Sequence, residues 1–309
     1  MTSAGALERW SAGVAGCLWL CLAALVLAGC AAGGVAGDGG AGATATALAG
    51  DPLAQARVFY DRANRLLDQG DAQAALADYD RAVALDPRNS RALHNRGLAH
   101  AALGQTDAAL ADYSAAIALD PAYQRAYENR AGLLERRGDS AALAADYARL
   151  AELDPPNRGL YLYRRGTALL ALRDVAGARA AFDAALAADP QQSDALYERA
   201  LLSFAERRPD AAQADLDAAL RLSPRAANAL YARGLVRADR GDPRGALADF
   251  GRALELRPAY PEALIARASA AHALGDDQQA RADLDAAAKL PLDETLTAAA
   301  EVVRGQVGP

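Results

Sequence analysis

After its first thirty residues this 309-residue sequence contains no cysteine, since Cys17, Cys21 and Cys30 are the whole complement. The rest of the chain can therefore hold neither a disulfide nor a cysteine-based metal site. Histidine is almost as scarce. His94, His100 and His272 are the only three, and the first two are not at the i, i+4 spacing that puts zinc ligands on one helical face. An excess of basic residues is also missing. Lys and Arg number 33 against 39 Asp and Glu, for a formal net charge of −6. Removing residues 1–29, which hold only Glu8 and Arg9, leaves that balance unchanged. Nucleic-acid binding wants a basic footprint, so it is not expected here. Aromatic residues make up 6% of a sequence that is 52% hydrophobic, which implies a long core built largely of alanine. There is no strand-like alternation and no glycine-rich phosphate loop between a strand and a helix. No catalytic constellation, cofactor site or metal site emerges, and the chain is expected not to be an enzyme.

What the sequence has instead is repetition. Pro87, Pro121, Pro155, Pro190, Pro224 and Pro258 are separated by 34, 34, 35, 34 and 34 residues, with Pro291 a near match 33 residues further on. A fixed period of this length marks stacked supersecondary units. With the proline counted as position 32, position 8 holds only small residues: Ala63, Gly97, Ala131, Gly166, Ala200, Gly234 and Ala268. Position 24 holds Tyr79, Tyr113, Tyr147, Phe182, Leu216, Phe250 and Leu284, and positions 20 and 27 are Ala in six of seven copies. Ala109, Tyr113 and Ala116 fall at i, i+4, i+7, one face of a helix. Position 15, where a chain turning between helices can use positive φ, is Gly in five copies but Arg173 and Arg207 in the fourth and fifth. The Asp-Pro pairs end second helices, because a proline disfavours helix in the residue before it.

These columns resemble the tetratricopeptide repeat, over roughly residues 53–292. The resemblance implies an all-α fold: a right-handed superhelical α-solenoid of about seven helix-turn-helix repeats. One pair cannot bury its apolar face alone, so the copies must stack. The third repeat departs from its peers, with Leu143 and Leu150 where others have Ala and the longer exit Pro155-Pro156-Asn157-Arg158-Gly159. A local change of pitch is expected there, in a bent but continuous solenoid rather than two domains.

The expected organisation has four parts. Residues 1–29 read as an export signal, with Arg9 before an apolar run of about 15 residues that is too short to span a bilayer. Leu27-Ala28-Gly29-Cys30 resembles the bacterial lipobox, which implies lipidation at Cys30; an ordinary secretory signal, or a chance occurrence of the tetrapeptide in an Ala/Leu-rich run, are the alternatives. Stable anchoring needs more than one acyl chain, and Ala31 after the cysteine implies the outer membrane by the usual sorting pattern. Residues 30–50 are then the lipidated cysteine and a flexible Gly/Ala tether. Residues 51–292 are the seven repeats, opened by Asp51-Pro52 as N-cap and first helical residue. Residues 293–309 are a C-terminal capping helix and tail, with Asp293 as cap, Gly305 as stop, and Leu296, Ala299, Ala300 and Val303 as its apolar stripe.

Two charged columns run through the repeats. Position 7 is Arg in every copy (Arg62, Arg96, Arg130, Arg165, Arg199, Arg233, Arg267), and position 23 is Asp in six (Asp78, Asp112, Asp146, Asp215, Asp249, Asp283), with Ala181 the exception. They can form bidentate structural bridges or a charged ligand track. The resemblance places positions 2, 5, 9, 12 and 13 on a concave groove. Position 2 is Arg57, Arg91 and Arg125, then Leu160, Asp194, Asn228 and Glu262, so the groove turns from basic to acidic along the chain. Position 5 supplies Tyr60 and His94, then Tyr163, Tyr197 and Tyr231, with Leu170, Leu201, Phe204 and Leu235 as apolar surface beside them. Tyrosine and arginine are common interface anchors, although tyrosine here can equally pack between repeats. Some members of the family clamp a peptide carboxylate with five side chains. Asn64, Asn95 and Arg125 match that pattern, while Tyr60 and Asn129 replace its basic residues.

The function this implies is a lipid-anchored scaffold or adaptor of the bacterial cell envelope, on the outer membrane facing the periplasm. Its partners would be envelope proteins or peptides held in the groove, with the membrane reached through the lipid and no nucleic acid involved. The oligomeric state is left open. A small-ligand receptor or envelope enzyme using the groove, or a self-assembling structural spacer, are the alternatives.

Overall fold

A computed structural model describes residues 51–308. The expected signal segment 1–29, Cys30 and the tether to residue 50 lie outside the described residues, as does Pro309. Among the described residues the chain is helical throughout, with no strand. It divides into two compact units at Pro155/Pro156, within the longer exit of the third repeat. That division was not expected from the sequence, which read as one continuous solenoid.

The first unit holds three helix pairs: α1 (Pro52–Asp68) with α2 (Ala72–Leu85), α3 (Ser90–Ala102) with α4 (Thr106–Leu119), and α5 (Gln124–Arg137) with α6 (Ser140–Leu153). A 3-10 turn, Pro155–Asn157, occupies the exit. The second unit holds α7 (Arg158–Ala171) with α8 (Val175–Ala188), α9 (Ser193–Ala205) with α10 (Pro209–Leu222), α11 (Ala227–Asp239) with α12 (Pro243–Leu256), α13 (Pro261–Ala273) with α14 (Asp277–Ala287), and a final helix α15 (Glu294–Val307).

Local chemistry sets these boundaries. Asp51 accepts a hydrogen bond from the Leu53 amide at 2.9 Å with Pro52 in the first turn, and Asp71, Asn89, Asp139, Asp174, Asp242 and Asp276 cap later helices in the same way. Each such cap is worth about 1 kcal/mol. Asp86, Asp120, Asp154 and Asp189 are the C-caps ahead of their prolines. Gly70, Gly104, Gly138, Gly241 and Gly275 take positive φ at the turn, and Arg173 and Arg207 are forced into the same region at φ 61° and 59°. A side chain there costs roughly 1 kcal/mol or more.

Packing explains the columns. A methyl group on Gly97 would lie 2.7 Å from the Tyr113 ring, and on Gly166 or Gly234 it would lie 2.4 or 2.5 Å from Phe182 or Phe250. The small residue is thus the seat of the ring from the partner helix. Tyr79, Tyr113, Phe182 and Phe250 are almost fully buried, as are the alanines of positions 20 and 27 in the same helix pairs.

The arginine and aspartate columns meet. Arg96 reaches Asp112 with Nε–Oδ2 at 2.8 Å and Nη2–Oδ1 at 2.6 Å, and Arg199, Arg233 and Arg267 repeat this fork on Asp215, Asp249 and Asp283 at 2.6 to 2.8 Å. Arg130 forks onto Asp146 and Arg62 onto Asp78. All six carboxylates are buried. The Arg62 guanidinium pulls the Asp78 carboxyl below the usual range, whereas burial outweighs Arg130 and raises Asp146. Arg165 stands opposite Ala181 and lacks this fork.

The spare nitrogen of the arginine also reaches back to the preceding pair: Arg96 Nη1 to Asp80 at 3.0 Å, Arg130 to Ser114 at 2.9 Å, Arg199 to Asp183 at 2.9 Å and Arg233 to Asp217 at 2.8 Å. This second use of the column, tying one repeat to the next, was not read from the sequence.

Helix α15 packs on α13 and α14. Asp293 caps it at the Leu296 amide, 2.8 Å away, and Val303 and Val307 are its buried residues. The expected stop at Gly305 is corrected. Gly305 is helical, and the helix ends at Gly308 with φ 73°, because Val307 continues the buried stripe one turn beyond Val303.

Candidate partner-binding faces

In the first unit, α1, α3 and α5 bring their polar residues into one hydrogen-bonded cluster. Asn95 on α3 donates from Nδ2 to Tyr60 Oη at 3.1 Å and to Asn64 Oδ1 at 2.9 Å, both on α1. Asn64 Oδ1 also accepts from Tyr79 Oη at 2.6 Å. His94 is at the centre and is 3% exposed, so this residue, expected on the groove surface, is instead buried beneath it. Its Nδ1 lies 2.9 Å from Asn95 Oδ1 and 3.2 Å from Tyr123 Oη, and its Nε2 lies 2.8 Å from Asn129 Nδ2.

An acceptor at Nδ1 and a donor at Nε2 suit the neutral Nδ1–H tautomer. Burial acts in the same direction and lowers the ring's pKa. The His94 ring is sandwiched by Tyr113 and Tyr123, with centroids 5.6 and 4.9 Å away. Three of the side chains matching the carboxylate-clamp pattern or its replacements, Tyr60, Asn64 and Asn95, are therefore bonded together, and Asn129 joins them through His94. Tyr123, at the end of the preceding loop, was missed because it lies outside the groove columns.

Arg57, Arg91 and Arg125 are exposed beside this cluster. Arg57 has Asp61 at 3.9 Å, a solvent-exposed pair of little strength. Among the described residues Arg91 and Arg125 form no salt bridge.

The second unit places tyrosines rather than amides on the corresponding face. Tyr163 on α7 packs on Phe182 with ring centroids 6.0 Å apart. Tyr197 on α9 is half-buried, and burial raises the pKa of both phenols well above its ordinary value. Tyr231 on α11 is 5% exposed, between Phe250 at 5.8 Å and Tyr260 at 5.0 Å. It is thus core rather than the groove surface expected of it. Phe204, near the end of α9, is half-buried.

Acidic groups accompany these rings. Glu198, next to Tyr197, has its carboxyl pushed up to about 7, chiefly by burial and further by Asp194. Arg257 lies over the Tyr260 ring at 4.1 Å and donates to Asn228 at 2.6 Å. Glu198 and Tyr260 were not singled out in the sequence, because neither falls in a groove column.

Two clefts, of about 350 and 140 Å³, lie away from both clusters. They repeat the same notch between successive pairs, the larger at Gly251 beside Arg267, where Asp80, Asp183 and Asp217 in other repeats tie the arginine back. Among the described residues no helix is long and apolar enough to cross a membrane, and no group of three His, Cys, Asp or Glu side chains could hold a metal ion.

Comparison with known proteins adds the family. The family model described as "Tetratricopeptide repeat" matches residues 60–123, 94–158, 163–227, 204–242 and 231–294. No curated protein matches the chain. Among solved structures, the C-terminal part of a TPR repeat-containing protein from Cytophaga hutchinsonii is 15% identical, with 78% of this chain and 98% of that one covered and a TM-score of 0.59. YrrB, described as a TPR protein with an unusual peptide-binding site, is 20% identical, with 61% and 97% covered and a TM-score of 0.52. At such identities the likeness extends to the fold alone. The matched repeats span most of the sequence, and the chain belongs to the tetratricopeptide repeat family.

Proposed function

We propose that this protein is a non-catalytic scaffold for protein partners, and that the first unit takes an extended acidic peptide along α1, α3 and α5. The tetratricopeptide repeat is a protein–protein interaction module, and the peptide-binding site named for YrrB supports a peptide as the partner here. The observation that carries the reading is the exposed trio Arg57, Arg91 and Arg125 beside a polar cluster whose members are already bonded to one another. The cluster is pre-organised, so little ordering entropy is lost on binding, and the exposed arginines, of which Arg57 has only the weak Asp61 pair, can fork onto carboxylates.

The place of action in this reading is the bacterial envelope, with Cys30 lipidated and the repeats held off the outer membrane by the tether on its periplasmic side. The Leu27–Cys30 tetrapeptide supports it. Two measurements test the proposal. A crosslinked pull-down from detergent-solubilised membranes should lose its partner in Arg57→Glu/Arg91→Glu/Arg125→Glu, with helicity by circular dichroism unchanged; capture that survives the triple variant overturns the peptide site. Cys30→Ser should abolish palmitate labelling and release the protein from the membrane fraction, and labelling that persists in this variant overturns the anchor.

A further inference from the structure

The second use of the arginine column, tying one pair to the pair before, is missing at Arg267. Arg96, Arg199 and Arg233 fork onto the aspartate of their own pair and spend Nη1 on Asp80, Asp183 or Asp217 of the preceding pair, at 2.8 to 3.0 Å. Arg267 on α13 forks onto Asp283 in the same way, through Nε at 2.8 Å and Nη2 at 2.6 Å. The α12 residue in the register of those tying acids is Gly251. A Cβ added to Gly251 would lie 4.0 Å from Arg267 Nη1 and would meet nothing closer. Among the described residues Nη1 of Arg267 has no hydrogen-bond or ion-pair partner. The notch is correspondingly wider. The cleft lined by Asp217 is about 140 Å³ and the one at Gly251 about 350 Å³, and the arginine side chain is 14% exposed in the first and 25% in the second.

The two pairs before show the chemistry that fits against this nitrogen, since in both it is an aspartate carboxylate. We propose that the Gly251 notch, between α12 and α13, receives an aspartate or glutamate side chain of a protein partner, its carboxylate bonded to Arg267 Nη1. This rests on the scaffold reading and gives the second unit a contact separate from Arg57, Arg91 and Arg125. The fork onto Asp283 already holds the guanidinium in place, so little ordering is lost when the carboxylate arrives. An arginine–carboxylate hydrogen bond is charge-assisted and among the stronger ones. Leu254, Pro258 and Leu264 line the cleft and offer apolar walls to the stem of the incoming side chain. Glu255, exposed on the same lining, forms no ion pair with Arg267 among the described residues. Its charge opposes a more highly charged anion such as phosphate and leaves a single carboxylate as the fitting group.

The test is NMR titration of the full chain, read at the Nε–H signals of its arginines, with acetyl-Leu-Asp-Leu-amide, acetyl-Leu-Asn-Leu-amide and acetate. Three proteins are compared: wild type, Gly251→Ala, which leaves the notch uncharged, and Gly251→Asp, which supplies the tying carboxylate from α12 itself. Both variants have room for the added side chain, so folding is retained. The expected result is a saturable shift of the Arg267 signal with the Asp peptide in wild type and Gly251→Ala, with binding at least tenfold weaker in Gly251→Asp. Arg199 and Arg233, whose Nη1 is already taken, should not respond. No saturable shift at Arg267, an equal response in Gly251→Asp, or an equal response to the Asn peptide overturns the proposal. Acetate bound as tightly as the Asp peptide overturns the assignment to a partner's side chain. Arg57, Arg91 and Arg125 report on the first unit in the same spectra, so either site can fail while the other stands.

Discussion

The two units are built from the same repeat and differ in how they treat polarity on their first helices. In the first, the buried titratable group is His94, a ring neutral by environment, bonded on both nitrogens, with amides passing hydrogen bonds from α1 to α5. The second unit has instead Glu198, a half-buried carboxyl that burial and Asp194 push up to about 7. The turns differ in the same sense. All three in the first unit use glycine, while two of the second unit's hold arginine at positive φ. The repeat's scaffold of alanines, rings and Arg–Asp forks is shared by both. A solenoid can therefore hold its architecture constant and let the first-helix positions diverge in charge and the turns in local strain.

The largest expected effect comes from emptying the amide–imidazole cluster. His94→Ala leaves Asn95, Asn129 and Tyr123 without their common partner and opens a void between two rings, for a loss of about 3 kcal/mol. Amide hydrogen exchange should show that loss in α1–α6 and not in α7–α15.

The pH response of the two units should run in opposite directions. Glu198 holds a proton in the folded state up to about pH 7 and in the unfolded state only to about its ordinary value of 4.5. The second unit is therefore most stable below that lower value and loses stability as pH rises toward 7. Glu198→Gln should remove this dependence and stabilise the unit by about 2 kcal/mol at pH 8. The His94 ring has its folded pKa depressed from 6.5. Its contribution is present above that pH and is lost as pH falls through the folded value, so the first unit weakens on acidification. Exchange rates measured at pH 5 and pH 8 would check both signs, and parallel responses in the two units would break the contrast.

Exchanging the chemistry sharpens it further. Asn95→Asp places a carboxylate where Asn95 now donates to Tyr60 and Asn64, and should cost the first unit about 2 kcal/mol at neutral pH, less in acid. Urea unfolding at the two pH values measures the difference. The smallest effect concerns the turns. Arg173→Gly and Arg207→Gly should each stabilise by about 1 kcal/mol, since the relieved φ penalty exceeds the entropy glycine adds to the unfolded chain. Thermal denaturation should rise by about 2 °C for each, while Gly104→Arg should lower it.

Much of the fold was legible because its determinants are local and periodic. Pro87 and its successors announced the end of each second helix, and the glycines at position 15 announced the turns. Arg96 and Asp112 were paired on paper because a repeated register holds residues sixteen apart at one place in every copy. The site was less legible. His94 and Tyr231 occupy the groove position that Tyr60 also occupies, and nothing in their columns distinguishes a buried ring from an exposed one. What decides it is the neighbour: Tyr123 covers His94 and Tyr260 covers Tyr231, and both come from loops or helix starts outside the columns. Glu198 passed unnoticed for the same reason, since its environment is made by Tyr163 in the preceding repeat.

The sequence by itself determined the helices, the caps Asp51 and Asp293, the period and the register of the arginine and aspartate columns, because each depends on residues within one repeat or at its edge. Only the tertiary structure decided which polar groups on successive first helices bond, which tyrosines are core, where α15 stops and that the chain divides at Pro155/Pro156. Those outcomes depend on single contacts between residues some thirty positions apart, where one substitution in one copy changes the result and no period averages it out.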